Sequence, residues 1–377
     1  MEYSPHEIDS VFIKKEKTPG PAEAGIVFSL MAILQIYGIR IFSSVSSDIL
    51  KIGLSEVLFI ALPPILFTIL FRYHFVKTFR FQRVRLKDLG VVLLISPVAT
   101  LTAYCAGILA ITLVRLVFGS IQINGDLGDV MNQGLPLAIL AIGIFPAICE
   151  ELMFRGFFQR GMEGYGGRKA VILSGVLFGL FHFDFQRLAA QMLLGIVIAY
   201  VVYRTGSIVN GIIIHFLHNA GSVMLTNVAG GFGSISGGFF GNILQPFIPL
   251  HLAQIVNELF SAGVFSGSMN GDVFSSEAFI EYSRNSGLPL EKLIQSMAIV
   301  SLIILVASLF VLFGLLLLLR YTTEDVKKPQ RAGTAKRSYF IAAVPGLVLI
   351  LLVYVSIGFN LLNMPAGEWL MKILRIG

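Results

Sequence analysis

The sequence predicts an all-α protein, a polytopic bundle of about nine transmembrane helices with its N-terminus in the cytoplasm. Of the 377 residues, 55% are hydrophobic and only 13% are charged, and the mean hydropathy is +0.82. Soluble domains carry about 25% charged residues. The arrangement of the apolar residues leads to the same class, because runs of about 17–25 residues, long enough to cross a bilayer as a helix, alternate with polar connections.

Nine apolar runs approach the length of a membrane span, and the fifth and sixth are the shortest. The first is about 20 residues long, which exceeds the apolar core of a signal peptide, so we expect it to be retained as a span. In chain order the predicted spans are 25–45, 54–72, 89–118, 134–155, 169–184, 188–204, 207–228, 293–320 and 338–360.

The connections between these spans predict their orientation. The second connection is rich in basic residues, whereas the third, residues 120–134, contains no Lys or Arg. Cytoplasmic loops are enriched in Lys and Arg, so we expect the second connection inside and the third outside. The formal charge of +6 is thereby assigned to loops beside the lipid bilayer, and no nucleic-acid partner is expected. The basic residues of the second connection are Arg72, Lys77, Arg80, Arg83, Arg85 and Lys87.

Four parts are predicted along the chain. Residues 1–133 hold an N-terminal tail and three flanking spans, and residues 134–228 hold the helices that carry most of the intramembrane polar groups. Residues 229–292 are expected to form a long Gly-rich outer loop with a segment that could re-enter the membrane. Residues 293–377 hold two spans and an amphipathic tail.

Ionisable side chains at membrane depth are the candidate functional residues. Each costs at least about 2.5–3.5 kcal/mol near the bilayer centre, so such groups rarely lie there without a partner or a task. Three predicted spans carry them. The set comprises Glu150, Glu151, Arg155, His182, His215, His218 and the amide of Asn219.

The two adjacent glutamates are expected to have different surroundings. Neighbours on a helix point about 100° apart, whereas residues four apart share a face. Glu151 is therefore expected to form an ion pair with Arg155 and to leave Glu150 unpaired. A structural alternative stays open, in which Glu150 bonds a neighbouring helix or lies protonated at a packing interface.

The histidines lie on two further spans. His182 follows Gly175 and Gly179, whose spacing favours the close approach of another helix. His215 and Asn219 are four residues apart and share a face, and His218 is a rival near that face. Each could instead bond a backbone carbonyl or join two helices.

Depth favours a common site. At ~1.5 Å of rise per residue, Glu150, His182 and His215 are expected ~18, ~20 and ~12 Å into their helices. A carboxylate and an imidazole can hold a water and take its proton as it attacks a carbonyl. A His and an Asn one turn apart can donate to the oxyanion that forms. The residues therefore favour amide hydrolysis inside the membrane.

Three motifs in this order resemble those of the CAAX prenyl protease and bacteriocin-processing (CPBP or Abi) family of intramembrane endopeptidases. They are "EELMFRG" at residues 150–156, "FGLFH" at 178–182 and "HFLHN" at 215–219. The resemblance covers about residues 134–228. The family has an eight-helix core, so the flanking spans of this chain would be additions to it. The long outer loop, residues 229–292, departs from the family's pattern.

The resemblance implies a role for each motif residue. Glu150 and His182 would activate the water, and His215 and Asn219 would stabilise the oxyanion. Glu151, Arg155 and Phe178 would support the structure, with neither a metal nor another cofactor. The implied substrate is a peptide or a membrane protein, and the family's abundance in bacteria suggests the bacterial plasma membrane.

The same residues are compatible with other classes of function. A zinc protease could use three His and a Glu, although no HExxH motif is present. A transporter, a proton relay or a scaffold could use the same buried polar groups. Serine proteolysis through Ser174 lacks an oxyanion arrangement, and aspartyl proteolysis lacks a partner for Asp184.

Overall fold

The computed structural model describes residues 17–119, 128–232, 289–326 and 336–374, together with residues 280, 283, 284 and 287. Within these ranges the chain is helical and contains no β-strand. This confirms the predicted all-α bundle. Most of the predicted outer loop, 229–292, and the first part of the N-terminal tail lie outside the described residues.

Ten helices organise the described chain, and we number them in order. They are α1 (Pro21–Gly38), α2 (Asp48–Leu70), α3 (Leu86–Phe118), α4 (Leu135–Tyr165), α5 (Gly167–Leu180), α6 (Phe185–Thr205), α7 (Ile208–Phe232), α8 (Leu290–Thr322), α9 (Val344–Leu361) and α10 (Pro365–Leu374). Shorter helical turns link some of them.

Eight helices in the described part of the chain are long and apolar enough to cross a membrane. The remaining predicted span, 169–184, corresponds to α5, which has 14 residues. A helix of that length rises about 21 Å and falls short of the roughly 30 Å of hydrocarbon. The sequence overestimated its length because the apolar run continues through the turn that follows Leu180.

Local chemistry explains where the helices around that turn begin and end. Asp184 caps α6, since its Oδ1 accepts a hydrogen bond from the backbone N–H of Gln186 at 2.8 Å. Gly206 ends α6 in the left-handed region with φ +70°. The short links on both sides of α6 hold α5, α6 and α7 together.

Two helices contain wide π-helical turns. In α4 they cover Ile139–Ile144 and Leu152–Phe158, on either side of the segment Phe145–Glu151 that carries the glutamates. In α2 a similar turn covers Glu56–Ala61. Such turns are frequent at functional sites because they shift side chains out of the regular helical register.

Glycines let α5 and α6 pack closely, as the spacing of Gly175 and Gly179 predicts. A Cβ on Gly175 would lie 2.4 Å from the backbone nitrogen of Ile196, and one on Gly179 would lie 2.8 Å from that of Met192. On the other helix, a Cβ on Gly195 would lie 2.9 Å from the carbonyl oxygen of Gly175. The close contact fixes α5, and with it the turn that carries His182.

Two large clusters make up most of the described core. Phenylalanine rings of α1, α4 and α5 pack together in one, and apolar residues of α3, α6, α7 and α8 form the other. Most of the apolar surface of α8 is exposed in the described structure. In a bilayer this surface would face lipid.

Candidate active site

The predicted ion pair on α4 is present and buried. Nη1 of Arg155 donates to Oε1 of Glu151 at 2.6 Å, and both side chains are fully buried. Nη2 of Arg155 also donates to the carbonyl oxygen of Gly195 on α6 at 3.1 Å. The guanidinium lies 4.3 Å from the centre of the Phe178 ring on α5. Arg155 therefore ties α4 to both α5 and α6.

The imidazole of His215 lies between the two glutamates. Its Nδ1 is 3.0 Å from Oε1 of Glu151, and its Nε2 is 3.8 Å from Oε2 of Glu150. Glu151 pairs with Arg155 as predicted, and His215 is a neighbour that both carboxylates share. The ring of one residue on α7 reaches both, because its two nitrogens point in different directions.

Glu150 differs from Glu151 in its hydrogen bonding. The Glu150 side chain is 13% exposed, whereas that of Glu151 is fully buried. Oε2 is buried without a hydrogen-bond partner in the protein in both residues, but Oε1 of Glu151 lies within hydrogen-bond distance of Arg155 and His215. Buried carboxylate oxygens are normally satisfied, and an exception indicates a group kept available for another molecule. Glu150 is thus the more accessible of the two carboxylates and the one without an ion pair to Arg155.

His182 is held in one orientation by its own helix end. Its Nδ1 lies 2.8 Å from the carbonyl oxygen of Phe178, so Nδ1 carries a proton and Nε2 is left as an acceptor in the neutral ring. The Phe178 ring packs edge-on against both His182 and His215, at 4.8 and 5.6 Å between ring centres. His182 also interacts electrostatically with His215. Phe178 therefore supports both imidazoles.

The third motif divides between two neighbours of α7. Nδ2 of Asn219 donates one hydrogen bond to the carbonyl oxygen of Ile142 in α4 at 3.0 Å. The amide group has a second N–H that this bond does not use. His218 turns towards α3, where its Nδ1 lies 3.3 Å from Oγ1 of Thr100 and its ring lies 5.5 Å from that of Tyr104. His215 and Asn219 thus face α4, and the rival His218 does not.

Sequence reasoning missed Glu56. This residue is 9% exposed, its Oε2 has no hydrogen-bond partner in the protein, and it interacts electrostatically with Glu150 and Cys149. The predicted span began at residue 54, which placed Glu56 at the membrane edge. Because α2 begins at Asp48, Glu56 lies about 12 Å along the helix. The detectable signal was an acid followed by a long apolar run.

Two further candidates have structural partners. Oγ of Ser174 is buried and donates to the carbonyl oxygen of Phe154 at 3.1 Å. The carboxylate of Asp184 caps α6 and accepts from Nε of Arg187 at 2.7 Å. Among the described residues, no three His, Cys, Asp or Glu side chains are arranged to hold a metal ion.

These features define a multi-pass α-helical membrane protein with a buried centre of carboxylates, imidazoles and an amide. Residues 132–221 match the family model described as type II CAAX prenyl endopeptidase Rce1-like. The match covers about a quarter of the chain, contains all three motifs and confirms the resemblance seen in them. No curated protein and no solved structure matches the chain significantly. The family match supports an intramembrane CAAX-type endopeptidase in general.

Proposed function

We propose that this protein hydrolyses peptide bonds within the membrane, with a water activated by Glu150 and His182 and an oxyanion held by His215 and Asn219. One observation carries the proposal. Oε2 of Glu150 is buried without a hydrogen-bond partner in the protein and lies 3.8 Å from Nε2 of His215. The proximity of this carboxylate to His215, a residue of the third motif in the matched family segment, supports the proposal.

The first step is the attack of water on the scissile carbonyl carbon. The carboxylate of Glu150 takes one proton from the water while the hydroxyl oxygen bonds to the carbon. The acceptor Nε2 of His182, oriented by the bond of Nδ1 to Phe178, helps to align the water. The negative charge then moves to the former carbonyl oxygen.

The oxyanion requires donors that are already in place. Asn219 offers its second N–H, since the first donates to Ile142. His215 directs Nδ1 at Glu151, so its Nε2 donates only when the ring carries both protons. When the C–N bond breaks, Glu150 returns its proton to the leaving amine nitrogen, and the carboxylate is regenerated.

The substrate class follows from the location of the site. Glu150 and His215 lie on helices long enough to span the membrane, so a peptide or membrane protein that reaches the site from the bilayer is the expected substrate. A bacterial plasma membrane is the proposed location. Mass spectrometry of cleavage products from a library of lipid-anchored and unanchored peptides identifies the preferred class.

Alanine variants of His215 and Asn219, with His218→Ala as the control, test whether the first two residues stabilise the oxyanion. In purified protein, His215→Ala and Asn219→Ala should each lower kcat by about 10²–10³-fold, since each removes a donor to the oxyanion, with little change in substrate binding. His218→Ala is the matched control, because its ring contacts α3, and its kcat should stay near that of the wild type. Unchanged kcat in both His215→Ala and Asn219→Ala would contradict the assignment.

A further inference from the structure

Helix α2 brings a third carboxyl group to the centre, and the reaction described above does not use it. Glu56 is 9% exposed, and its Oε2 has no hydrogen-bond partner in the protein. It begins the wide turn Glu56–Ala61. Burying a carboxyl group without a partner is costly, so a buried acid of this kind indicates a task.

The packing of α2 against α4 directs Glu56 towards the site. A Cβ on Gly53 would lie 3.1 Å from the ring of Phe145, so the two helices approach closely there. Glu56 follows Gly53 by three residues and Cys149 follows Phe145 by four, so each lies on the contacting face of its helix. One span, α3, separates α2 from α4 along the chain, and the two helices therefore run in the same direction. Glu56 thus lies one turn further along this interface, level with Cys149 and next to Glu150.

Electrostatic interactions agree with this placement. Glu56 acts on both Cys149 and Glu150. Arg155 and Glu151 of its own helix also act on Glu150. His215 faces Glu150 from α7. The Oε2 atoms of Glu56 and Glu150 are both buried without hydrogen-bond partners in the protein.

We propose that Glu56 is a positioning residue that shares one proton with Glu150. Two nearby carboxyl groups resist double ionisation, so the loss of a proton from one opposes its loss from the other. When Glu56 holds the shared proton, Glu150 is ionised and can take a proton from the water. This catalytic consequence rests on the proposed function, whereas the sharing of the proton does not.

Infrared titration tests the sharing without relying on cleavage. The protonated-carboxyl band is followed against pH in the wild type, Glu56→Gln, Glu150→Gln and the double variant, each reconstituted in lipid. With the double variant as baseline, a shared proton predicts that the two single-variant curves do not sum to the wild-type curve. Additive curves overturn the proposal.

Glu150→Gln also supports a test by itself if Glu56→Gln does not fold. Sharing predicts that removal of Glu150 changes the titration of the remaining carboxyl groups, so the difference from the wild type does not fit one independent site. If the difference between the wild-type and Glu150→Gln titration curves fits one independent site, the proposal is overturned. This result does not depend on whether the protein cleaves a substrate. Circular dichroism confirms that the compared proteins are folded.

The pH dependence of cleavage connects Glu56 to the reaction. In a pair that shares one proton, Glu56 is ionised for part of the time, and its charge then opposes the ionisation of Glu150. Glu56→Gln removes this opposing charge and makes ionisation of Glu150 easier. The acidic limb of the kcat/KM profile should therefore move to lower pH by about one pH unit, whereas Glu56→Asp, which keeps the charge, should stay near the wild type. Ser55→Ala is the control, since Ser55 is a buried neighbour that donates only to the carbonyl of Ile52. An unmoved limb in Glu56→Gln overturns the positioning role.

Discussion

Glu150 and Glu151 are adjacent residues whose carboxylates differ in their hydrogen bonds and in their exposure. Oε1 of Glu151 lies at 2.6 Å from Arg155 and 3.0 Å from His215. Oε2 lacks a hydrogen-bond partner in the protein in both residues, but only the Glu150 side chain is partly exposed, at 13%. The carboxylate of Glu151 therefore links α4 to α7, and that of Glu150 is the more accessible one.

Alanine at the two positions should separate these tasks. Glu151→Ala leaves the fully buried Arg155 without its carboxylate, and breaking a buried pair in this way costs about 3–5 kcal/mol. Glu150→Ala should keep near-normal membrane levels and abolish cleavage. Immunoblots of membranes and thermal unfolding in detergent measure the difference. Equal losses of protein in both variants would favour a structural role for Glu150.

Ser174 offers a contrasting prediction. Its hydroxyl donates to the carbonyl of Phe154, so Ser174→Ala should reduce stability by about 1 kcal/mol and leave kcat close to the wild type. Steady-state cleavage by the purified variant measures kcat. Loss of cleavage with an intact fold would instead indicate a serine nucleophile.

At the scale of helices, the contact of α5 with α6 supports His182. Gly175→Ala would place a methyl group 2.4 Å from the backbone of Ile196. The two helices must separate, at a cost of about 1–3 kcal/mol, and the turn that carries His182 should move. We expect a lower melting temperature and reduced kcat.

Gly221→Ala is the control for this prediction, because a Cβ on Gly221 meets no atom within 4 Å. Its stability should equal or exceed that of the wild type, since alanine favours helix more than glycine does. Equal stability and kcat in both variants would show that the close contact of α5 and α6 does not position His182.

Contacts that depend on spacing along one helix could be predicted from the sequence, whereas contacts that depend on how two helices face each other could not. The pairing of Glu151 with Arg155 and the close contact at Gly175 follow from positions along single helices, which spacing determines. The contact of His215 with both glutamates depends on how α7 faces α4, and the placement of Glu56 depends on the start of α2 and its wide turn. Local periodicity contains no information about those relationships.

At the scale of the whole molecule, charged groups tie the end of α8 to the start of α3. Arg85 donates to both Asp88 and Asp325, and Arg204 of α6 donates to the carbonyl of Arg320 at 2.6 Å. Asp88 is buried, whereas the side chain of Asp325 is 61% exposed. Arg85 therefore satisfies a buried carboxylate and an exposed one together.

This arrangement predicts a difference between two variants. Arg85→Ala leaves Asp88 without its guanidinium partner and should destabilise the protein more than Asp325→Asn, which removes only an exposed contact. Thermal unfolding of the two purified variants compares them. A larger effect of Asp325→Asn would contradict the assignment of the buried pair as the stronger contact.

Acid should loosen the same connection. The hydrogen bond from Arg85 holds the pKa of the Asp325 carboxyl below its usual range. The contribution of the pair is therefore complete at neutral pH and is lost as the pH falls through that lowered value. The protection of amides near Thr322, taken relative to the intrinsic exchange rate at each pH, should fall in acid in the wild type and should depend less on pH in Asp325→Asn. Equal pH dependence would contradict this role.

The role of Glu150 as the catalytic base can be tested by cleavage of a quenched-fluorescent peptide library by the purified protein and by Glu150→Gln, with and without a strong chelator. We predict cleavage that survives the chelator and disappears in Glu150→Gln while the variant stays folded. Activity that is lost with the chelator and restored by zinc would indicate a metalloprotease. Full activity in folded Glu150→Gln would contradict the role of Glu150 as the base.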